Sequence, residues 1–346
     1  FPYSHYAGNP NFVPPLRIDQ KKPIDQKKNP YYNNAESVLF IAEHNGKIAG
    51  RISATVDHRF NKHHHSKTGH FGFFECIDHQ PTTDLLFRVA EDWLRDKGME
   101  KVLGPASPGM MDVIGILTEG FDKDPYLMMP YNKPYYDKLI QSAGYSVEME
   151  LLAFIINIED ISWDRLNRAK EIVHKRVPGL TFRPVNLKKI KDEVEIVRHI
   201  YNEAWSTNWG FLPLTREELA KTASDFKLVL ESELAHIAEI DGNPVGFSIS
   251  LANLNVLFKT MKGNLLPFGI FKLLFGRKKI TQCRTMLMGV LPEYQSRGIE
   301  ALLNQRTIEL GSKKGYSQAE LSWVLSSNQN MVRVAERPRH NRPPKI

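Results

Sequence analysis

The sequence predicts an α/β protein built from two successive copies of one unit, each a mixed, mostly antiparallel sheet flanked by helices. Its 346 residues, 42% hydrophobic, suffice for two cores at roughly 100 to 200 residues per domain. ESVLFIAEHNGKIAGRIS (36–53) superposes on SELAHIAEIDGNPVGFSIS (232–250), so that Ile41-Ala42-Glu43 falls on Ile237-Ala238-Glu239. The same offset, 239 − 43 = 196, places Gly46 on Gly242 and Gly50 on Gly246, which reads as a tandem duplication. The likeness continues downstream of each hairpin with an apolar strand, HFGFFECID or RTMLMGVLP, and then a helical pattern.

Each hairpin turns on Asn45-Gly46 or Asp241-Gly242, dipeptides that accept the positive φ angles of a type I′ turn. The first helix is expected over 84–98, where Leu85, Leu86, Val89, Ala90, Trp93 and Leu94 share a face; the second covers 298–315 with Leu302, Leu303, Ile308 and Leu310. Lys97-Gly98 and Lys314-Gly315 supply glycine stops. A strand comes next each time, KVLGP and AELSWVL. The first domain is set at 1–160 and a linker helix at 161–179, ending in Pro178-Gly179. The second domain is 180–346, opening on the strand LTFRPV, with helices at 191–205 and 215–226 joined by a loop at 206–213.

A net charge of +7 and pI near 9.2 give a positive average field that attracts phosphates, nucleic acid or anionic lipid without choosing among them. No run reaches the roughly 18 apolar residues of a spanning helix. The opening FPYSHYAGNPNFVPP has no signal-peptide pattern and reads as a cut end. Two cysteines, Cys76 and Cys283, are too few for a disulfide framework or a CxxC metal site, so a reducing, cytoplasmic compartment is expected.

The chemistry concentrates in LMGVLPEYQSRGIEALLNQR (287–306), an apolar strand that ends at Pro292 and a glycine-containing turn that opens a helix. Such a turn aims unpaired N–H groups and the positive helix end at one point, a ready phosphate site, and Arg297 adds a full charge. With Val290-Leu291-Pro292 at the strand end and Gln295-Ser296-Arg297-Gly298 in the turn, the chain resembles the GNAT superfamily of N-acetyltransferases. A closer resemblance is to bacterial tandem-GNAT proteins with runs like FFGFFE, MMPYN and GVLPEY, matched here at 70–75, 128–132 and 289–294.

The resemblance implies transfer of an acyl group from acetyl-CoA or a longer acyl-CoA to an amine, carried by a small molecule or a protein. The cofactor would be held by Gly289, Val290, Leu291, Gln295, Ser296, Arg297, Gly298, Ile299 and Ala301, with main-chain N–H groups from Ser296 to Ala301 on the pyrophosphate. Main-chain N–H groups around Leu287 to Val290 would meet the oxyanion. Glu300 departs from the family, which has Gly or Ala there. The first copy reads IDHQPTTDLL (77–86) at this place, without glycine, and is expected to have lost cofactor binding, while NKPYYDKLIQSAG (132–144) resembles the family's late helix with its tyrosine.

The catalytic groups stay unassigned, with Asn328 and Glu239 as weak candidates and Glu203 beside them. No tyrosine follows Tyr316, and the proline-rich tail after Val334 cannot supply the family's last strands. The second sheet is therefore expected to end truncated or altered, or to be completed by another route.

His58, His63, His64, His65 and His70 read as a solvated loop, since three consecutive histidines cannot face one ion from an extended strand; no metal is expected. Trp205, Trp209 and Phe211 are weighed as core against an acceptor pocket. The insert NLNVLFKTMKGNLLPFGIFKLLFGRKKI (253–280) is basic and amphipathic: it would pack on the neighbouring domain, cover a greasy acyl chain or touch a membrane. No binding module for nucleic acid is recognisable. The opposed functional reading is a non-catalytic module that binds acyl-CoA or a membrane surface.

Overall fold

A computed structural model describes residues 1–226 and 230–336. From the N-terminus run α1 (Pro2–His5), β1 (Ala35–His44), β2 (Lys47–Asp57), α2 (His58–His64), β3 (Thr68–Cys76) and α3 (Gln80–Asp96). Next come β4 (Lys101–Leu103), β5 (Ala106–Ser107), β6 (Val113–Ile114), α4 (Tyr136–Ser142), β7 (Leu151–Asn157) and α5 (Trp163–Arg176). They are followed by β8 (Leu180–Pro184), α6 (Ile190–Ala204), α7 (Arg216–Phe226), β9 (Ala235–Ile240) and β10 (Asn243–Ala252). The rest is α8 (Asn255–Met261), α9 (Gly269–Gly276), β11 (Gln282–Val290), α10 (Ile299–Lys313), β12 (Gln318–Leu325) and α11 (Gln329–Glu336).

The chain divides into two compact units. One comprises Phe1–Glu148 with Asn255–Gly276; the other comprises Met149–Leu254 with the chain from Arg277 onward. The expected bounds at 160 and 180 differ from this division, because β7 pairs antiparallel with β12, Gln318 opposite Asn157 and Leu325 opposite Leu151. The second sheet, β7-β12-β11-β10-β9-β8, is thus completed by a strand upstream of the linker helix. Tail residues 337–346 lie outside the described residues.

The duplication extends to backbone detail. Asn45, Gly46, Asp241 and Gly242 all have positive φ, as the type I′ turns require. Gly50 stands opposite Ala42, and Gly246 opposite Ala238, each beside a register shift that leaves Ala49 or Val245 as the extra residue of a bulge. The bulge carbonyls then make the same bond: Ile77 N–H donates to Ala49 O at 2.9 Å, and Leu291 N–H to Val245 O at 2.9 Å. Hence Cys76 corresponds to Val290 and Ile77 to Leu291, an offset of 291 − 77 = 214.

In the first unit the sheet β1-β2-β3-β4 packs Ile52, Ala54 and Phe71 against Leu86, Phe87, Ala90 and Leu94 of α3. In the second, Val173 of α5 and Val177 just after it meet Ala238, Val245, Val290, Ile299, Leu302 and Leu303. The histidine-rich stretch expected as a loop is instead the helix α2. Asp57 caps it by accepting the Phe60 N–H at 2.9 Å, and His65 ends it at φ 48. That cap satisfies an orphan donor of the first turn, and Phe60 anchors the helix in the core.

Two buried histidines give the fold an acid limit. His70 and His236 are shut away from water, and neither ring nitrogen of either has a hydrogen-bond partner among the described residues. Burial first, then His64 near one and Arg306 near the other, holds each down from 6.5 to about 4. The stability given by a neutral ring is complete above pH 6.5 and is lost as pH falls towards the folded value. Each should contribute a loss of about 2 kcal/mol between pH 6.5 and 5. Carboxyls raised by burial work in the opposite direction, so the quantity to measure is a difference. The fall in thermal midpoint from pH 7 to 5 should be smaller in His70→Leu and His236→Leu than in the parent, and an equal fall would refute it.

Candidate functional site

β11 and β12 run parallel and pair from Gln282 opposite Gln318 to Thr285 opposite Leu321; beyond that the ladder between them stops. From Leu287 to Val290, β11 keeps its pairing with β10 on one side only. The Met288 carbonyl accepts from the Trp205 indole N–H at 3.0 Å, and Gly289 permits the approach of α6, since a Cβ there would stand 3.2 Å from the Ala204 Cβ. At the strand end the side chains of Val290 and Leu291 are buried, so these residues offer only main chain to a ligand.

The turn after Pro292 is held by its own groups. Gln295 folds back to donate from Nε2 to Val290 O at 2.9 Å, Ser296 takes φ 59, and the Arg297 guanidinium lies 5.3 Å from the Tyr294 ring centre. Gly298 is the N-cap of α10 at φ 95, and among the described residues no side chain caps the helix. A helix start of this kind directs its first-turn N–H groups and the positive end of its dipole along the axis, towards the place where an anion would lie. Gln295, Ser296 and Arg297 are exposed and Ala301 is half-buried, whereas Ile299 is buried in the core and can contribute its N–H alone. Glu300 stands in the first turn, half-buried. Val173 of α5 abuts Gly298, and a groove of about 660 Å³ along α5 is lined by Asn167, Lys170, Glu171, His174 and Lys175. The residues present fit a diphosphate: an uncapped helix start and an exposed arginine beside it.

The equivalent place in the first unit is built differently. From Cys76 the chain enters α3 after four residues (80 − 76), whereas from Val290 it takes nine to reach α10 (299 − 290). No room is left for a glycine turn; His79 is the N-cap with Pro81 close behind, and His79 Nδ1 lies 2.8 Å from Thr82 Oγ1. The end of β3 is also occupied by side chains of its own unit. Cys76 N–H donates to the Tyr136 hydroxyl at 3.0 Å, and the Tyr135 hydroxyl donates to Cys76 O at 3.0 Å.

Sequence reasoning missed two buried ionisable clusters. In the first unit Glu75 accepts from the hydroxyls of Tyr6 at 2.8 Å and Tyr136 at 2.7 Å, and His5 Nε2 lies 3.1 Å from Tyr136 Oη. Burial raises the Glu75 carboxyl against the pull of Arg51. In the second unit Arg284 and Glu320 face each other where β11 and β12 part. Arg284 Nε donates to Ser322 Oγ at 2.7 Å, and that hydroxyl donates to Glu320 Oε1 at 2.6 Å. Burial lowers Arg284 to about 10 and raises Glu320, outweighing the mutual attraction in both. Neither cluster has a sequence signal, since its members come from separate elements.

The catalytic candidates do not converge on the turn. Asn328 accepts the Met331 N–H at 3.1 Å at the start of α11, a helix-capping role. Glu239 accepts from Arg183 Nε at 2.7 Å, and Glu203 is exposed. Trp205 lies 4.7 Å from the Tyr201 ring, and Tyr201 lies 5.7 Å from Phe211, an aromatic contact set that builds core rather than a pocket.

No family model matches the chain. It is 35% identical to Protein YghO of Escherichia coli K12 over 345 residues, covering 97% of this chain and 87% of that protein. It is 32% identical to the bacterial ceramide synthase of Caulobacter vibrioides over 342 residues, covering 95% and 87%. Among solved structures, a tandem GNAT protein from the clavulanic acid biosynthesis pathway matches 95% of this chain and 86% of its own, with TM-score 0.51 and 10% identity. The GCN5-related glucosamine N-acetyltransferase region of a fungal multi-domain β-N-acetylglucosaminidase matches 91% of this chain and 33% of its own, with TM-score 0.52 and 14% identity. The repeated hairpin, bulge and strand-to-helix turn are thus those of a tandem GNAT fold, and the chain belongs to the family of GNAT-like acyltransferases that includes YghO and the bacterial ceramide synthase.

Proposed function

We propose that the protein transfers an acyl group from acyl-coenzyme A to the amine of a long-chain, sphingoid-type base. The observation that carries this reading is the uncapped, glycine-started N-terminus of α10 beside exposed Arg297, in a chain 32% identical to a ceramide synthase. Coenzyme A supplies the activated thioester when bound. Main-chain N–H groups from Ser296 to Ala301 would hold its pyrophosphate, with Arg297 adding positive charge. The strand end from Leu287 to Val290 offers main-chain groups to the acyl arm where β12 has turned away. The amine attacks the thioester carbonyl, the C–S bond breaks, and the proton lost by nitrogen ends on the released thiol. The first unit, with its short turn and occupied β3 end, serves as scaffold.

The test is the thermal midpoint with acetyl-CoA and with palmitoyl-CoA, followed by thiol release in the presence of sphinganine. A ligand at 100 times its Kd stabilises by about 2.7 kcal/mol. A rise with palmitoyl-CoA and sphinganine-dependent thiol release are expected; no rise with either CoA ester sinks the site. The second reading, binding without turnover, is favoured by one observation: Asn328 caps α11 and Glu239 is engaged by Arg183, so neither catalytic candidate is at the turn. It predicts the same rise with no thiol released.

A further inference from the structure

α8 and α9 leave the second copy's sequence and join the first unit. Asn255 donates from Nδ2 to the carbonyls of Pro125 and Tyr126, Lys259 reaches Asp124 at 2.6 Å, and Gly263 O accepts the Arg17 N–H at 2.9 Å. α9 sits tightly on α8, because a Cβ at Gly276 would stand 2.7 Å from Leu257 Cδ2. Thus α9 is fixed through its small residues and its large ones face outward. Leu266, Phe268 and Phe275 are 69%, 74% and 73% exposed, and Phe271 and Leu274 are exposed with them. Five large apolar side chains in ten residues, held open by a packed scaffold, far exceed the scattered surface apolars of ordinary proteins.

The segment that carries this patch is basic, with one of its lysines, Lys259, paired to Asp124. The chain carries no Asp or Glu between Asp241 and Glu293, and Lys262 and Lys272 are exposed beside the patch. Apolar tips on a segment that carries lysines and no acid of its own suit the boundary of an anionic bilayer. A second copy of the chain fits worse, since a two-fold contact would set these lysines against each other. No helix among the described residues is long and apolar enough to cross a membrane, so the contact lies in the surface.

We propose that residues 266–275 dock the protein on an anionic membrane surface, Phe268, Phe271, Leu274 and Phe275 entering the acyl boundary while the lysines meet lipid phosphates. This does not rest on the enzymatic reading and is tested without acyl-CoA. The full chain is sedimented with phosphatidylcholine vesicles and with vesicles of phosphatidylcholine and phosphatidylglycerol at 3:1. Binding to the anionic vesicles is expected to be at least about tenfold stronger, falling about fivefold for each lysine changed to glutamine at 262 or 272. Phe268→Asp with Phe275→Asp should lower it by about tenfold or more. Because these side chains are exposed, the thermal midpoint should stay near the parent's. In a second measurement, Phe268→Trp should show indole emission quenched by brominated lipid. Absent binding to both vesicles, unaltered binding of the double aspartate variant, an unquenched indole, or a dimer dispersed by the aspartates without vesicle binding would each overturn the proposal.

Discussion

Gly298→Asp is expected to abolish acyl-CoA binding, seen as a thermal midpoint that no longer responds to palmitoyl-CoA and a Kd weakened by about a hundredfold or more, some 2.7 kcal/mol. Three effects add. Gly298 sits at φ 95, where a side chain costs about 1–2 kcal/mol. Its Cβ would stand 2.6 Å from Val173 Cγ2, forcing α5 and the turn apart. A carboxylate would also occupy the positive end of α10, where the pyrophosphate is proposed to lie. Because the first two also act on stability, Arg297→Ala is the companion variant: Arg297 is exposed, so the fold should keep its midpoint while affinity falls about tenfold. If Gly298→Asp binds as the parent does, the site assignment fails. If both variants lose only stability, the turn is structural.

Arg284→Ala is expected to cost about 3–5 kcal/mol, because Glu320 is left buried without its cation. Arg284 and Glu320 are both buried, 3.6 Å apart, and linked through Ser322. Yet the pair adds little net stability, since burial disfavours the charged form of each. Arg284→Met combined with Glu320→Leu should therefore recover most of the loss. The raised Glu320 carboxyl sets the sign with pH. Its contribution is complete below the ordinary carboxylate value and is lost as pH rises through the raised one, so Glu320→Gln alone should gain relative stability towards neutral pH. Urea midpoints at constant m-value measure all three. A single variant that loses under 1 kcal/mol, or a double variant no better than the single, contradicts this account.

Much of the fold was legible because its signals are local. Asn45-Gly46 and Asp241-Gly242 dictate tight hairpins by backbone sterics alone, and the shared spacing to Gly50 and Gly246 exposed the duplication. The helices at 190–204 and 216–226 fall within a residue of expectation, since apolar periodicity and stops lie within the segment itself. The glycine turn at 295–298 was readable for the same reason: a strand end, a glycine and a helix start are contiguous.

What the sequence determined by itself, then, is the repeated hairpin, the order of strands and helices, and the place where an anion could meet the chain. Only the tertiary structure decided that β7 closes the second sheet, since LLAFIIN reads as a strand but nothing in it names a partner some 160 residues away, Asn157 opposite Gln318. It also decided that the insert is anchored by Asp124, Pro125 and Tyr126 in the first unit. Likewise Glu239 is engaged by Arg183, and Asn328 caps a helix. The physical reason is common to all of these: local pattern fixes backbone conformation, but the partner of a strand edge, a carboxylate or an amide is set by long-range packing that brings distant residues together.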